Sequence, residues 1–195
     1  MRLIHWMAAA LAIVPLLQGC GGAEDDGGDG ALRLVNASTS GALDLYASDS
    51  QLASGVEADG AGSYVSLGAG TYTLKLKRDG SSTTSSSSDR TVLEGTAHTL
   101  LAYTTSDTLK TIFLTDNEDA PSAGTAKLRV FNASTEAGTL DVYVTDAGAT
   151  LADSSATVSS LAAERTSAYN EISAGSHRIR VTGSGDKADL RLDLG

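Results

Sequence analysis

The sequence predicts an all-β protein made of two tandem antiparallel β-sandwich units, the second of them incomplete. Three observations lead there. Apolar and polar residues alternate with a period of two, turn residues punctuate the chain at short intervals, and one stretch of sequence occurs twice. Short, evenly spaced, alternating runs of this kind build sandwiches. After the N-terminal segment no stretch keeps a helical period.

The alternation is plainest at Tyr72, Leu74 and Leu76, which interleave with Thr71, Thr73, Lys75 and Lys77. Side chains on a strand point to opposite faces in turn, so the first set faces inward and the second outward. His177, Ile179 and Val181 alternate with Arg178, Arg180 and Thr182 in the same way. Leu43 and Leu45 alternate with Asp44 and Tyr46, as Leu140, Val142 and Val144 do with Asp141 and Tyr143. Gly183-Ser184-Gly185-Asp186 reads as a hairpin turn. The serine run Ser81 to Ser88 reads as a mobile loop between two strands.

The repeat fixes the organisation. Leu32-Arg33-Leu34-Val35-Asn36-Ala37-Ser38-Thr39 matches Leu128-Arg129-Val130-Phe131-Asn132-Ala133-Ser134-Thr135 at an offset of 96. Gly41 to Tyr46 matches Gly138 to Tyr143 at 97, and Tyr64 with Leu67 to Tyr72 matches Tyr169 with Ile172 to His177 at 105. The growing offset places a longer loop in the second copy, between Asp146 and Arg165. Asn36-Ala37-Ser38 and Asn132-Ala133-Ser134 have the form of glycosylation sequons. Their duplication at one structural place favours an Asx turn. The expected boundaries are 1–19 for a signal peptide, 20–30 for a tether, 31–117 and 118–125 for the first unit and linker, and 126–195 for the second unit.

Both copies resemble the DUF4397 family of bacterial envelope proteins. The resemblance rests on Val35-Asn36-Ala37-Ser38, Leu43-Asp44-Leu45-Tyr46 and Ala69-Gly70-Thr71-Tyr72-Thr73-Leu74. It implies tandem domains of Ig-like or transthyretin-like architecture behind a lipoprotein signal. It implies location and fold, and no particular chemistry.

The N-terminus reads as an address. Arg2 precedes an apolar run of 12 residues, Trp6 to Leu17. A bilayer needs about 20 residues to span, so this run has the length of a signal h-region. Leu16-Leu17-Gln18-Gly19-Cys20 resembles a lipobox, and Cys20 is the only cysteine. The resemblance implies lipidation at Cys20 with two or three fatty chains, palmitate among them, and an anchor in the membrane. Two chains suffice for stable attachment. Gly21 follows the cysteine where Asp would mark inner-membrane retention, which favours the outer membrane. The stretch from Gly21 to Gly30 is Gly-rich and acidic, as flexible tethers are.

Composition narrows the function. The formal charge is −10, and no basic cluster occurs. That excludes a nucleic-acid partner, because phosphate contact needs Lys or Arg. After Cys20 the chain contains no Trp, Met or Cys, so the expected domains rely on an apolar core without disulfides. His98 and His177 lie in different copies, which disfavours a metal site within one unit. His98 is expected exposed at a strand start, and His177 half-buried at the place of Tyr72. No G-x-S-x-G elbow or phosphate loop occurs. No cofactor, metal or catalytic residue is expected. The candidate binding surface is the repeated set Asp44, Tyr46, Asp141 and Tyr143, with the carboxylates outward and Tyr64 and Tyr169 nearby.

The second copy stops at Leu192-Asp193-Leu194-Gly195, where the first continues into Leu100, Leu101, Tyr103, Ile112, Phe113 and Leu114. Burying about four such side chains contributes about 6–12 kcal/mol at about 1.5–3 kcal/mol each. A whole domain has a stability of about 5–15 kcal/mol. The sequence therefore predicts a truncated, weak second unit. The function expected is a non-catalytic envelope lipoprotein with structural or binding modules and an unknown protein or glycan ligand. A surface adhesin or carbohydrate-binding module is the alternative, and an envelope hydrolase the remote one.

Overall fold

A computed structural model describes residues 28–116 and 119–195. The signal segment, Cys20 and most of the expected tether lie outside the described residues. Every regular element described is a strand.

The N-terminal half is two sheets face to face. The first contains β1 (Asp29–Ala37), β4 (Gly60–Ala61), β5 (Val65–Gly68), β8 (Ala97–Thr105) and β9 (Thr108–Thr115). β4 and β5 share one edge of β1, while β8 takes the other and β9 pairs with β8. The second contains β2 (Leu43–Ala47), β3 (Ser50–Val56), β6 (Gly70–Arg78) and β7 (Thr84–Val92), in the order β3-β2-β6-β7. β1 begins at Asp29, so the end of the expected tether is already strand.

Leu32, Leu34, Leu43, Leu45, Leu74, Leu76 and Leu100 fill the space between these sheets, each at most 2% exposed. Leu43, Leu45, Leu74 and Leu76 come from the alternating positions read above. Each such leucine contributes about 1.5–3 kcal/mol on burial. Gly30 is buried where a Cβ would collide with the Leu93 carbonyl and the Val92 side chain. The β7–β8 connection therefore crosses directly over β1.

Two expectations are corrected here. The sheets are not wholly antiparallel, since β1 and β8 run parallel, with Leu34 beside Leu100. β8 follows β7 of the opposite layer, so the chain crosses over instead of turning in a hairpin, and crossovers permit parallel pairing. Ser85 to Ser88 are not loop: they lie in β7, paired with β6 from Thr84 to Val92. The stretch has no apolar residue to show its period, yet Ser86 and Ser88 are half-buried and their neighbours exposed.

The C-terminal half uses matching parts. β10 (Thr125–Leu128) and β11 (Phe131–Asn132) follow the path of β1. They pair with β15 (Asn170–Ser173) and β14 (Arg165–Thr166) respectively. The second layer holds β12 (Leu140–Asp146), β13 (Val158–Leu161), β16 (His177–Gly183) and β17 (Asp186–Leu194), ordered β13-β12-β16-β17. Gly185 has a φ of +76° in the β16–β17 hairpin, which glycine adopts without steric cost. The loop 147–157 replaces the tight β2–β3 turn and accounts for the longer offset.

Polar groups are matched as closely as strands. The Asn36 side chain donates to the Gly41 and Val56 carbonyls, both at 2.9 Å, and accepts from the Ser38 amide at 3.1 Å. Asn132 donates to the Gly138 and Leu161 carbonyls at 2.8 and 3.2 Å, and accepts from the Ser134 amide at 3.2 Å. Both asparagines are buried. They form the Asx turns expected at the sequons and tie that turn to the facing strand.

Candidate functional site

Two places bring chemistry together: the cleft between the halves, and an open groove inside the C-terminal half. The cleft forms where the outer face of the β1/β8/β9 sheet meets β10 and β11. It has a volume of about 440 Å³. Asp116, just past β9, is its centre. One carboxylate oxygen accepts from Tyr64 at 3.0 Å and from Thr99. The other accepts from Tyr169 at 3.1 Å and from the Arg129 guanidinium. Arg33 stacks over the Tyr64 ring at 4.5 Å, and Arg129 over the Tyr169 ring at 4.6 Å. Arg33 also donates to Thr99 at 2.9 Å. Arg33 and Arg129 occupy matching places in the two sequences, as do Tyr64 and Tyr169, so the site is nearly symmetric about Asp116.

Burial pushes the Asp116 carboxyl up, but the hydrogen bonds from Thr99, Tyr64 and Tyr169 and the Arg129 charge outweigh it and hold it below its ordinary value. Burial first, and then the Asp116 charge, raises the Tyr169 hydroxyl, so it stays protonated as a donor. A carboxylate accepting from four donors is saturated. It is a poor proton shuttle and a strong clasp.

A second cluster closes the far end. Glu164 accepts from Tyr103 at 3.1 Å and from Lys110 at 2.7 Å. The Tyr103 ring meets Phe131 edge-on, with centroids 4.9 Å apart. The halves thus meet through charged, aromatic and hydroxyl contacts at both ends.

The expected binding surface is arranged differently. Asp44 and Asp141 are buried, at 5% and 6% exposure, and are not open to solvent. Each fills a β-bulge. Asp44 accepts from the Gly55 amide at 2.8 Å, and Asp141 from the Ser160 amide at 2.7 Å and the Gly185 amide at 2.8 Å. Gly55 and Ser160 both have a positive φ, near +61° and +53°. The bulge turns those amides toward the carboxylate. The backbone hydrogen bonds hold Asp141 below its ordinary value. Tyr46 is half-buried with Lys77 4.2 Å above its ring. Tyr143 is 3% exposed. Lys187 lies 5.9 Å above its ring and donates to the Ala152 and Ser154 carbonyls, which draws the long loop toward it. Tyr64 and Tyr169 converge on Asp116 and leave Tyr46 and Tyr143 to the other layer.

His98 is also corrected: it is 1% exposed. Its ring stacks on Phe113 at 4.7 Å and accepts from the Leu93 amide at 3.2 Å. Burial lowers its pKa, against the smaller opposing influence of Asp116. His98 shares the inward face of β8 with Leu100 and Ala102, two and four residues on. His177 is half-buried as expected, bonded to the Ser173 carbonyl at 2.6 Å. Among the described residues no group of three or more His, Cys, Asp or Glu is placed to hold a metal.

Asp116, Thr99, Glu164 and the two arginines are the residues that sequence reasoning passed over. The repeated Leu-Arg pairs, Leu32-Arg33 and Leu128-Arg129, carried a signal for the arginines. Asp116 has no repeated partner to mark it.

The groove lies between the two layers of the C-terminal half, with a volume of about 380 Å³. Val130, Leu140, Val142, Val181 and Leu192 line it. Its lining is mostly apolar, with Asn132 and Ser134 as the polar members.

An all-β chain with no helix among its described residues, two-layered and held by buried Asn and Asp networks, is a β-domain protein of the sandwich type. It belongs to the family described as a domain of unknown function, DUF4397, whose model matches residues 30–143. That match runs through the N-terminal half and into β12. Among solved structures the chain is similar to a DUF3823 family protein from Bacteroides ovatus ATCC 8483, at 14% identity, covering 85% of this chain and 95% of that one, with a TM-score of 0.26. None of the curated proteins compared matches the chain.

Proposed function

We propose that the protein is a lipid-anchored lipoprotein of the bacterial cell envelope, in which two tandem copies of one β-sandwich unit serve a non-catalytic structural or binding role. The observation that carries the reading is Leu17-Gln18-Gly19-Cys20 at the end of a short apolar run, ahead of a Gly-rich acidic stretch. The tandem reading is supported by the repeated sequence and by the matched Asn36/Asn132 and Asp44/Asp141 hydrogen bonds. The non-catalytic reading is supported by the saturation of Asp116 by its neighbours and the sealing of His98 in the core. The absence of Asp after Cys20 favours the outer membrane. Anchoring is tested by feeding expressing bacteria an alkyne fatty acid. The full chain should take up label and sediment with membranes, and Cys20→Ser should lose both. Label retained in that variant would overturn the anchor. Protease treatment of intact and lysed cells then separates a surface location from a periplasmic one.

A further inference from the structure

Matching positions of the two copies face one another across the cleft between the halves. Arg33, Val35 and Ala37 alternate with the buried Leu34 and Asn36, and so lie on the outer face of β1. Arg129, Phe131 and Ala133 stand at the same places in the second copy. Both rows line the space of about 440 Å³. Leu101, in register with Val35, and Leu114 of β9 widen its floor. The lining runs no further along the chain than Tyr169, so neither β16 nor β17 takes part. Sites for small ligands have volumes of about 300–1,000 Å³ and form preferentially between domains, with mostly apolar walls and a few placed polar groups.

The charged groups lie at one end and are unequally matched. Arg129 has its counter-ion in Asp116. Arg33, the repeated counterpart of Arg129, stacks on Tyr64 and gives its Nε hydrogen to Thr99. Among the described residues no carboxylate pairs with it, and its terminal nitrogens make no hydrogen bond. Thr99 donates in turn to Asp116, so Arg33 is held in one orientation without being neutralised. Two arginines against one aspartate leave one positive charge here, in a chain of formal charge −10. Lys127, the other charged residue of the lining, has a partner of its own. A guanidinium fixed at Nε presents its outer edge as a planar fork, which matches a carboxylate.

We propose that the cleft binds an organic monoanion, a single carboxylate on an apolar body. The carboxylate takes for Arg33 the place that Asp116 takes for Arg129. The body lies between Val35 and Leu101 on one side and Phe131 on the other, and the small side chains of Ala37 and Ala133 leave it room at the far end. The inference gives the binding role proposed above its class of ligand. It rests on that role and is independent of the anchor.

The probe is anilinonaphthalene sulfonate, an organic monoanion that fluoresces in apolar surroundings, titrated onto the purified full chain. Saturable binding is expected. Phenylnaphthylamine, the same body without the anion, should bind at least tenfold more weakly. Arg33→Gln should weaken the anionic probe at least tenfold, and Arg33→Lys, which keeps the charge without the fork, should weaken it less. Leu101→Ser should weaken both probes. Leu192→Ser alters the groove of the C-terminal half, outside the cleft, and should leave binding unchanged. Octanoate should displace the probe at concentrations where octanol does not. Circular dichroism checks that each variant is folded. No saturable binding, equal binding of the two probes, indifference to Arg33→Gln, or loss of binding in Leu192→Ser overturns the proposal. So does displacement by octanol as readily as by octanoate. Repeating the titration with Cys20→Ser separates these outcomes from failure of the anchor, which the fatty-acid label reads by itself.

Discussion

Leu76 on β6 and Val181 on β16 hold matching places, yet Leu76 is 1% exposed and Val181 is half-buried. The same contrast runs through both halves. Ten buried residues join the N-terminal core, from Leu32 to Ala102, whereas Val142, Val158 and Leu161 alone make up the C-terminal one. The polar framework does not follow this trend, because Asn132 and Asp141 are as well bonded as Asn36 and Asp44. Burial has also moved in the C-terminal half. Arg180, Thr182 and Tyr143 are at most 3% exposed, while Ile179 and Val181 on the opposite face are half-buried. Local hydrogen-bonded turns thus survive without a full apolar layer. The core needs the strand pair β8–β9.

The largest test of this contrast separates the halves. A 28–116 fragment should unfold cooperatively on heating, and a 126–195 fragment should show no cooperative transition. A sharp transition in the second fragment would remove the contrast. Next, Leu76→Ala should cost about 2–5 kcal/mol in urea unfolding, the usual range for a leucine truncated in a core. Val181→Ala should cost about 1 kcal/mol, because its side chain is already partly wet. Equal costs would show that the groove is closed in solution.

Asn36→Ala strands the buried Val56 carbonyl and removes a bond to the Gly41 carbonyl, and should cost about 1–3 kcal/mol. Asn132→Ala should cost less, because its half is more open, and the ordering is read from paired urea midpoints. The smallest effect concerns the clasp. Asp116 is held below its ordinary value of 3.8, so it binds a proton less readily folded than unfolded. Its stabilisation is full above the unfolded value and is lost as pH falls through the folded one. Midpoint against pH should therefore decline below about pH 4, and Asp116→Asn should flatten that part of the curve. His98 is depressed by burial, so it too favours folding above 6.5 and loses that contribution as pH falls below it.

Much of the fold was legible in the sequence. Period-two alternation located β2, β6, β12 and β16, and the repeat predicted that the two sets would match. The Asx turns followed from a duplicated Asn-Ala-Ser. Other features left no periodic trace. β7 is a strand by pairing, and serine and threonine do not announce a face. The burial of Asp44 and Asp141 depends on bulges in the neighbouring strands that turn amides over the carboxylates, which a regular period cannot show. Tyr143 was expected outward, as Tyr46 is, but a longer loop and Lys187 cover it. Asp116 gains its role only when Tyr64, Thr99, Arg129 and Tyr169, up to 53 residues away, arrive around it.

Hydrogen–deuterium exchange on the full chain compares the halves within one molecule. Amides of β6 and β8 should exchange slowest, and those of β12, β16 and β17 clearly faster, because the second layer opens without the first. Equal protection across β6 and β16 would contradict the claim that the halves differ in core completeness.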